Sequence, residues 1–206
     1  MIANSPYFVL EQAYEYTEEI KKSRFITYLA PTKGRQIAEQ FVRTIKAQHP
    51  DARHHCWAFV AGRPSDGQQY GFSDDGEPSG TAGKPILHCL MGCDVGEMTA
   101  VVVRYYGGIK LGTGGLARAY AGGVQQVLKL IDPIECFIYA ELNLTCDYAQ
   151  IAAIERLFSV YNGKLKHAEY GEQVIMQLDV DARHTQAFII AVKNKTNGQV
   201  NVKVVD

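Results

Sequence analysis

Polar and apolar positions along the chain switch between a two-residue and a three-to-four-residue period, and the switches mark out its elements. Tyr14, Tyr16 and Ile20 alternate with polar neighbours and lead into Phe25-Ile26-Thr27-Tyr28-Leu29, the pattern of paired strands. Pro31 and Gly34 interrupt it, and Ile37, Ala38, Phe41, Val42 and Ile45 then form the stripe of an amphipathic helix. Further on, HHCWAFV from His54 predicts a strand, 63–83 an irregular polar loop and 86–91 a short helix. A strand at 98–103 follows, whose Val101-Val102-Val103 run suits a packed pleat. Leu116, Ala119, Tyr120, Gly123, Val124 and Val127 return at helical spacing.

The remaining third reads as strand (137–146), helix capped by Asp147, hairpin (164–169 and 173–180), helix beginning at Asp181 and strand (200–205). Asn162-Gly163 supplies the stop signal for the first of these helices. The order βαββαβ is that of a ferredoxin-like plait, and the whole chain reads as α+β. Composition shifts at the same place: 15 of the 19 glycines lie from Gly62 to Gly123, and no proline follows Pro133. Two domains are therefore expected, 1–133 and 137–206.

Charge narrows the partners. Net charge is −1, with 14 Lys/Arg against 13 Asp/Glu through Asp132 and 7 against 9 beyond it. A protein that coats nucleic acid by bulk charge would be far more basic, so any RNA contact must come from a local patch. No apolar run is long enough to span a bilayer, and the start MIANSPYFVLEQ lacks a cationic segment followed by an apolar one. A cytoplasmic protein with no membrane partner is expected. The five cysteines (56, 89, 93, 136 and 146) contain no CxxC pair and read as reduced, mostly buried thiols.

The densest candidate chemistry is VVVRYYGGIKLGTGGLARAYAGG, from Val101 to Gly123. A strand ends in Arg104, Tyr105 and Tyr106, and Gly107-Gly108 lets the backbone turn. Then Gly112-Thr113-Gly114-Gly115 opens a helix whose free N–H groups can cradle an anion. Arginine suits phosphate and tyrosine rings suit stacked bases, while Lys84, Lys110 and Arg118 add positive charge nearby. Glycines that merely permit turns and close packing explain the same run, with one tyrosine in the core and Arg104 paired to Asp74 or Asp75.

Two secondary groups stand upstream. Ser73-Asp74-Asp75-Gly76-Glu77 gathers three carboxylates on a turn, but calcium-loop spacing is absent. Capping of the next helix, or pairing with Arg53 or Arg104, is the simpler reading, and no metal or cofactor is expected. In Arg53-His54-His55 the alternation of a strand sends the two histidines to opposite faces, one towards a site and one into packing. No nucleophile pairing identifies a catalytic residue.

Four stretches together carry a family resemblance: KKSRFITYLAP from Lys21, HPDARHHCWAF from His49, GFSDDGEPSGTAGKPIL from Gly71 and VVVRYYGGIKLGTGGLARAY from Val101. Through them the chain resembles the YigZ/IMPACT family over essentially its full length. The resemblance implies an N-terminal domain like the fourth domain (domain IV) of elongation factor G, with a left-handed βαβ crossover. It likewise implies a C-terminal ferredoxin-like domain similar to that factor's fifth domain (domain V). Eukaryotic relatives act in translational control through protein partners, and no catalytic residue carries over. The leading expectation is a translation-associated protein that contacts RNA or the ribosome through 104–115. An enzyme for a small phosphorylated or nucleotide substrate and a protein-interaction module are the alternatives.

Overall fold

The computed structural model describes residues 5–205; the first four residues of the N-terminal segment and Asp206 lie outside the described ones. Contacts divide the chain into a unit formed by Tyr7–Cys136 and a second unit running from Phe137. In the first unit, β1 (Tyr7–Val9), β2 (Tyr14–Ile20), β3 (Ser23–Pro31), α1 (Arg35–Gln48) and β4 (His54–Val60) come first. They are followed by β5 (Tyr70–Ser73), α2 (Gly83–Met91), β6 (Met98–Tyr105), α3 (Thr113–Leu128) and β7 (Ile134–Cys136). Five strands form an antiparallel sheet in the order β2-β3-β6-β4-β5, so β3–α1–β4 crosses over with β6 between its strands. β1 and β7 form a separate two-stranded ribbon.

The two-residue period of the strands divides this sheet's side chains between two cores. Phe25, Leu29, Cys56, Ala58, Ala100 and Val102 pack towards Ile86, Leu90, Leu116, Tyr120 and Val124 of α2 and α3. Ile26, Val101 and Val103 pack instead against Val42 and Ile45 of α1. Every residue from Met98 to Arg104 is buried, because β6 is the central strand and is covered on both faces.

The second unit contains β8 (Tyr139–Cys146), α4 (Tyr148–Tyr161), β9 (Lys164–Tyr170), β10 (Val174–Asp181), α5 (Thr185–Lys195) and β11 (Val202–Val204). Its antiparallel sheet has the order β11-β8-β10-β9. Leu142, Leu144, Met176, Leu178 and Val180 meet Ile154, Leu157, Phe188 and Val192 of the two helices in a core of their own. Both units are thus mixed α+β structures built on antiparallel sheets. No helix among the described residues is long and apolar enough to cross a membrane.

The larger differences from the sequence expectation each have a local reason. The 63–83 segment is not wholly irregular: Asp66 accepts the Gln68 N–H to form a 3-10 turn, and Tyr70–Ser73 pairs with β4. Helix α2 begins at Gly83 rather than at residue 86, because a carboxylate far upstream caps it. The strand expected over 137–146 starts at Tyr139, because Phe137 and Ile138 form the link from β7, which ends at Cys136. Asp181 ends β10 instead of starting a helix, with its carboxylate accepting the Arg183 N–H at 3.0 Å.

Candidate functional site

Strand register assembles one end of the site. His54 of β4 lies opposite Arg104 of β6, and Arg104 lies opposite Phe25 of β3. Alternation puts Arg104 on the α2–α3 face, beside Val102, and Tyr105 on the α1 face, beside Val103. Arg104 is 5% exposed, so it is not the open phosphate anchor that its place near the strand's exit suggests. Its Nη1 donates to Glu77 Oε1 at 2.6 Å, and the Tyr120 hydroxyl donates to the same oxygen at 2.7 Å. Its guanidinium also lies 5.5 Å from the ring centres of both Phe25 and Tyr106. Arg104 Nε is buried without a hydrogen-bond partner.

Above this pair opens a cleft of about 430 Å³. Arg53, His54, Tyr106, Lys110, Gly112 and Thr113 line it, with Pro78, Leu111 and Leu116 as apolar walls. The N-terminus of α3 faces it with no side-chain cap and no acidic residue in its first turn. Leu116 is the first residue of the helix whose N–H reaches back, to the Gly112 carbonyl at 2.9 Å. The N–H groups of Thr113, Gly114 and Gly115 therefore have no carbonyl to bond, and the helix dipole places partial positive charge there. Gly112 sits at φ +74°, a conformation that glycine adopts without strain. A Cβ on Gly114 would meet only the Arg118 Nη1, at 3.8 Å, so packing does not require glycine there.

The cations at the mouth are unspent. Arg53 and Lys110 are exposed, and neither forms a hydrogen bond or ion pair among the described residues. His54 Nδ1 lies 2.9 Å from the Asp75 carbonyl oxygen. That oxygen can only accept, so Nδ1 carries the proton and Nε2 of a neutral ring is left as an acceptor.

The acidic turn is used within the fold. Asp74 Oδ1 accepts the N–H groups of Ala82 and Gly83, each at 2.9 Å, and Oδ2 accepts that of Gly80 at 2.8 Å. Burial opposes ionisation of Asp74, but these donors outweigh it and hold the carboxyl below the ordinary aspartate value. At Asp75 burial again opposes ionisation, and Lys46 at 2.6 Å with the His55 N–H at 2.7 Å prevails. Ser73 Oγ accepts the Asp75 N–H. The three carboxylates thus face different partners rather than one ion. Arg104 pairs with Glu77, not with Asp74 or Asp75.

Several candidates lie apart from the cleft. The Tyr105 hydroxyl is 2.8 Å from His49 Nδ1, and Arg24 covers its ring on the α1 side of the sheet. His55 is buried, with Nε2 3.0 Å from the His49 carbonyl oxygen, while His54 lines the cleft. Lys84 borders a depression beside His88 and Cys89, and Arg118 borders another beside Glu18. Gly107 and Gly108 carry the chain away from β6; a Cβ on Gly107 would overlap the Lys22 backbone. Pro78, Leu111 and Tyr120 are site residues that sequence reasoning missed. The helical stripe marked Tyr120 only as core. Cys56 is buried beneath the site, which pushes its thiol up to about 12 and leaves it a poor nucleophile.

Comparison with known proteins fits this description. Residues 21–128 match the Impact N-terminal domain, and residues 144–199 match a domain of unknown function, DUF1949. The chain is 50% identical to "IMPACT family member YigZ" of Escherichia coli, over 92% of this chain and 93% of that protein. It is 47% identical to an "IMPACT family member" of Haemophilus influenzae, over 97% of both chains. A crystal structure described as that of a hypothetical protein superposes with a TM-score of 0.71 at 47% identity, covering 98% of each chain. The chain belongs to the IMPACT family.

Proposed function

We propose that the protein is a cytoplasmic, translation-associated RNA-binding protein that receives an RNA phosphate at the N-terminus of α3. One observation carries the reading: unspent N–H groups of Thr113 to Gly115 and two cations unpaired among the described residues, Arg53 and Lys110, converge on one cleft. The exposed Tyr106 ring at its edge suits a stacked base. A net charge of −1 makes this a local contact rather than a bulk attraction. The likeness to domains IV and V of elongation factor G that the family resemblance implies supports the ribosome as the place where this RNA is met. Protein partners in translational control, implied by the eukaryotic relatives, extend the same reading.

Binding of the full chain to ribosomes and to structured RNA across a salt series tests it, with circular dichroism as the folding control. Replacing both Arg53 and Lys110 by alanine should weaken association and flatten the log–log salt slope by roughly 1.4 to 1.8, two phosphate contacts' worth. Absence of wild-type association at low salt would end the proposal.

A second reading, an enzyme acting on a small phosphorylated or nucleotide substrate, draws on His54, whose carbonyl-bound Nδ1 leaves Nε2 as a base at the cleft. Turnover of such a substrate that disappears in His54→Gln, with RNA binding retained, would favour it. No activity on nucleotide and phosphoester substrates leaves the binding reading in place.

A further inference from the structure

Resting on the RNA-binding reading, we infer that the cleft is specific for a terminal phosphomonoester nucleotide of RNA, not for a phosphodiester within the chain. Size and charge both point there. A volume of about 430 Å³ lies towards the small end of ligand pockets, the scale of one nucleotide. A phosphodiester carries one negative charge, whereas a monoester carries about 1.5 to 2 near neutral pH. The cleft offers Arg53, Lys110 and the uncapped helix end, with no acidic residue in the first turn of α3 to offset them. Glu77 compensates only Arg104. The surplus fits the dianion and exceeds what a diester needs.

The floor of the cleft adds an independent argument. Arg104 lies there nine-tenths buried, yet of its donors Glu77 takes Nη1, and Nε has no partner. A buried guanidinium with unspent donors is costly unless an acceptor arrives. A phosphate that ends the chain can be inserted head-first towards that floor, where its three terminal oxygens meet helix N–H groups, with the incompletely paired Arg104 guanidinium beneath them. A phosphate inside a chain must keep two ester links pointing outwards and presents only two free oxygens. Tyr106 then stacks the base, and His54 Nε2 accepts from a ribose hydroxyl.

The test is fluorescence-anisotropy binding of the full-length protein to one short single-stranded RNA carrying an internal dye. The RNA is prepared with hydroxyl ends, with a 5′-phosphate, with a 3′-phosphate, and with each of these phosphates methylated to a diester. One monoester form should bind at least about tenfold more tightly than the hydroxyl-ended RNA. Methylation should remove that gain, and the corresponding nucleoside monophosphate should compete where the nucleoside does not. Arg53→Ala and Lys110→Ala, at exposed positions that the fold does not use, should reduce the monoester form to the level of the hydroxyl-ended one. Equal binding of all forms overturns the inference and leaves RNA binding intact. Failure of every form to bind overturns the RNA-binding reading and the inference with it.

Discussion

Two glycine-rich polar loops flank the cleft, and they differ in how far their polar groups are already used. In the acidic loop, Asp74 takes three backbone donors, Asp75 takes Lys46 and the His55 N–H, and Glu77 takes Arg104 and Tyr120. In the loop leading to α3, Lys110 has no partner among the described residues and no side chain caps the helix N-terminus there. A polar group paired within the protein holds the fold, while one left unpaired at a concave surface is available to a ligand. By that criterion the acidic loop is scaffold and the glycine loop is site, although their sequences look equally functional.

The largest effect should come from the scaffold. Glu77→Ala leaves Arg104 as an uncompensated buried charge and removes the acceptor of the Tyr120 hydroxyl, which should cost about 3 to 5 kcal/mol. Urea unfolding measures this. A loss below about 1 kcal/mol would place the Glu77–Arg104 pair outside the scaffold.

Asp74→Ala comes next, at about 2 kcal/mol, since the N-terminus of α2 loses the carboxylate that caps it. The same bonds predict a pH dependence. Asp74 and Asp75 are held below the ordinary aspartate value of 3.8, so the folded state binds their protons less readily than the unfolded chain. Their contribution is complete above that value and is lost as pH falls through the lowered folded values. Wild type should therefore lose more stability on acidification through this window than Asp74→Asn does. Identical acid profiles would show that these bonds are not formed.

In the glycine loop the effects should move from stability to binding. Lys110→Ala and Arg53→Ala should each change unfolding free energy by no more than about 0.5 kcal/mol. Each should still weaken RNA binding about tenfold, as expected for loss of a charge-assisted contact. Unfolding by either substitution would erase the distinction between the loops.

The smallest effect on the fold is expected at Gly114→Ala. The added Cβ meets nothing closer than Arg118 Nη1 at 3.8 Å, and alanine favours helix by up to about 1 kcal/mol over glycine. Stability should hold or rise slightly. RNA affinity should fall, because a side chain is added beside the N–H groups that receive the phosphate. Unchanged affinity would mean that the ligand does not come close to this turn.

Much of this was legible in the sequence, and the remainder depends on pairing across the chain. The Val101–Val103 run announced a buried strand, and two-residue alternation was enough to separate His54 from His55. The helical stripe from Leu116 to Val127 matches the buried face of α3 residue for residue. Register was not legible: nothing local says that His54 lies opposite Arg104. Nor does local pattern reveal that Glu77, 27 residues away, turns Arg104 from an exposed anchor into half of a buried pair. β5 escaped notice because four residues containing a glycine at a sheet edge carry little periodic signal. Gly114 and Gly115 look alike in sequence, yet a Cβ on Gly115 would crowd Leu111 at 3.1 Å while Gly114 opens on space.

Backbone amide shifts recorded by NMR during titration with phosphate-bearing RNA test the division between the loops most directly. The Thr113, Gly114 and Gly115 N–H signals should move furthest and saturate together, with the Ala82 and Gly83 signals, already bonded to Asp74, remaining in place. Saturable shifts centred on another surface, with Thr113 to Gly115 unmoved, would contradict the account.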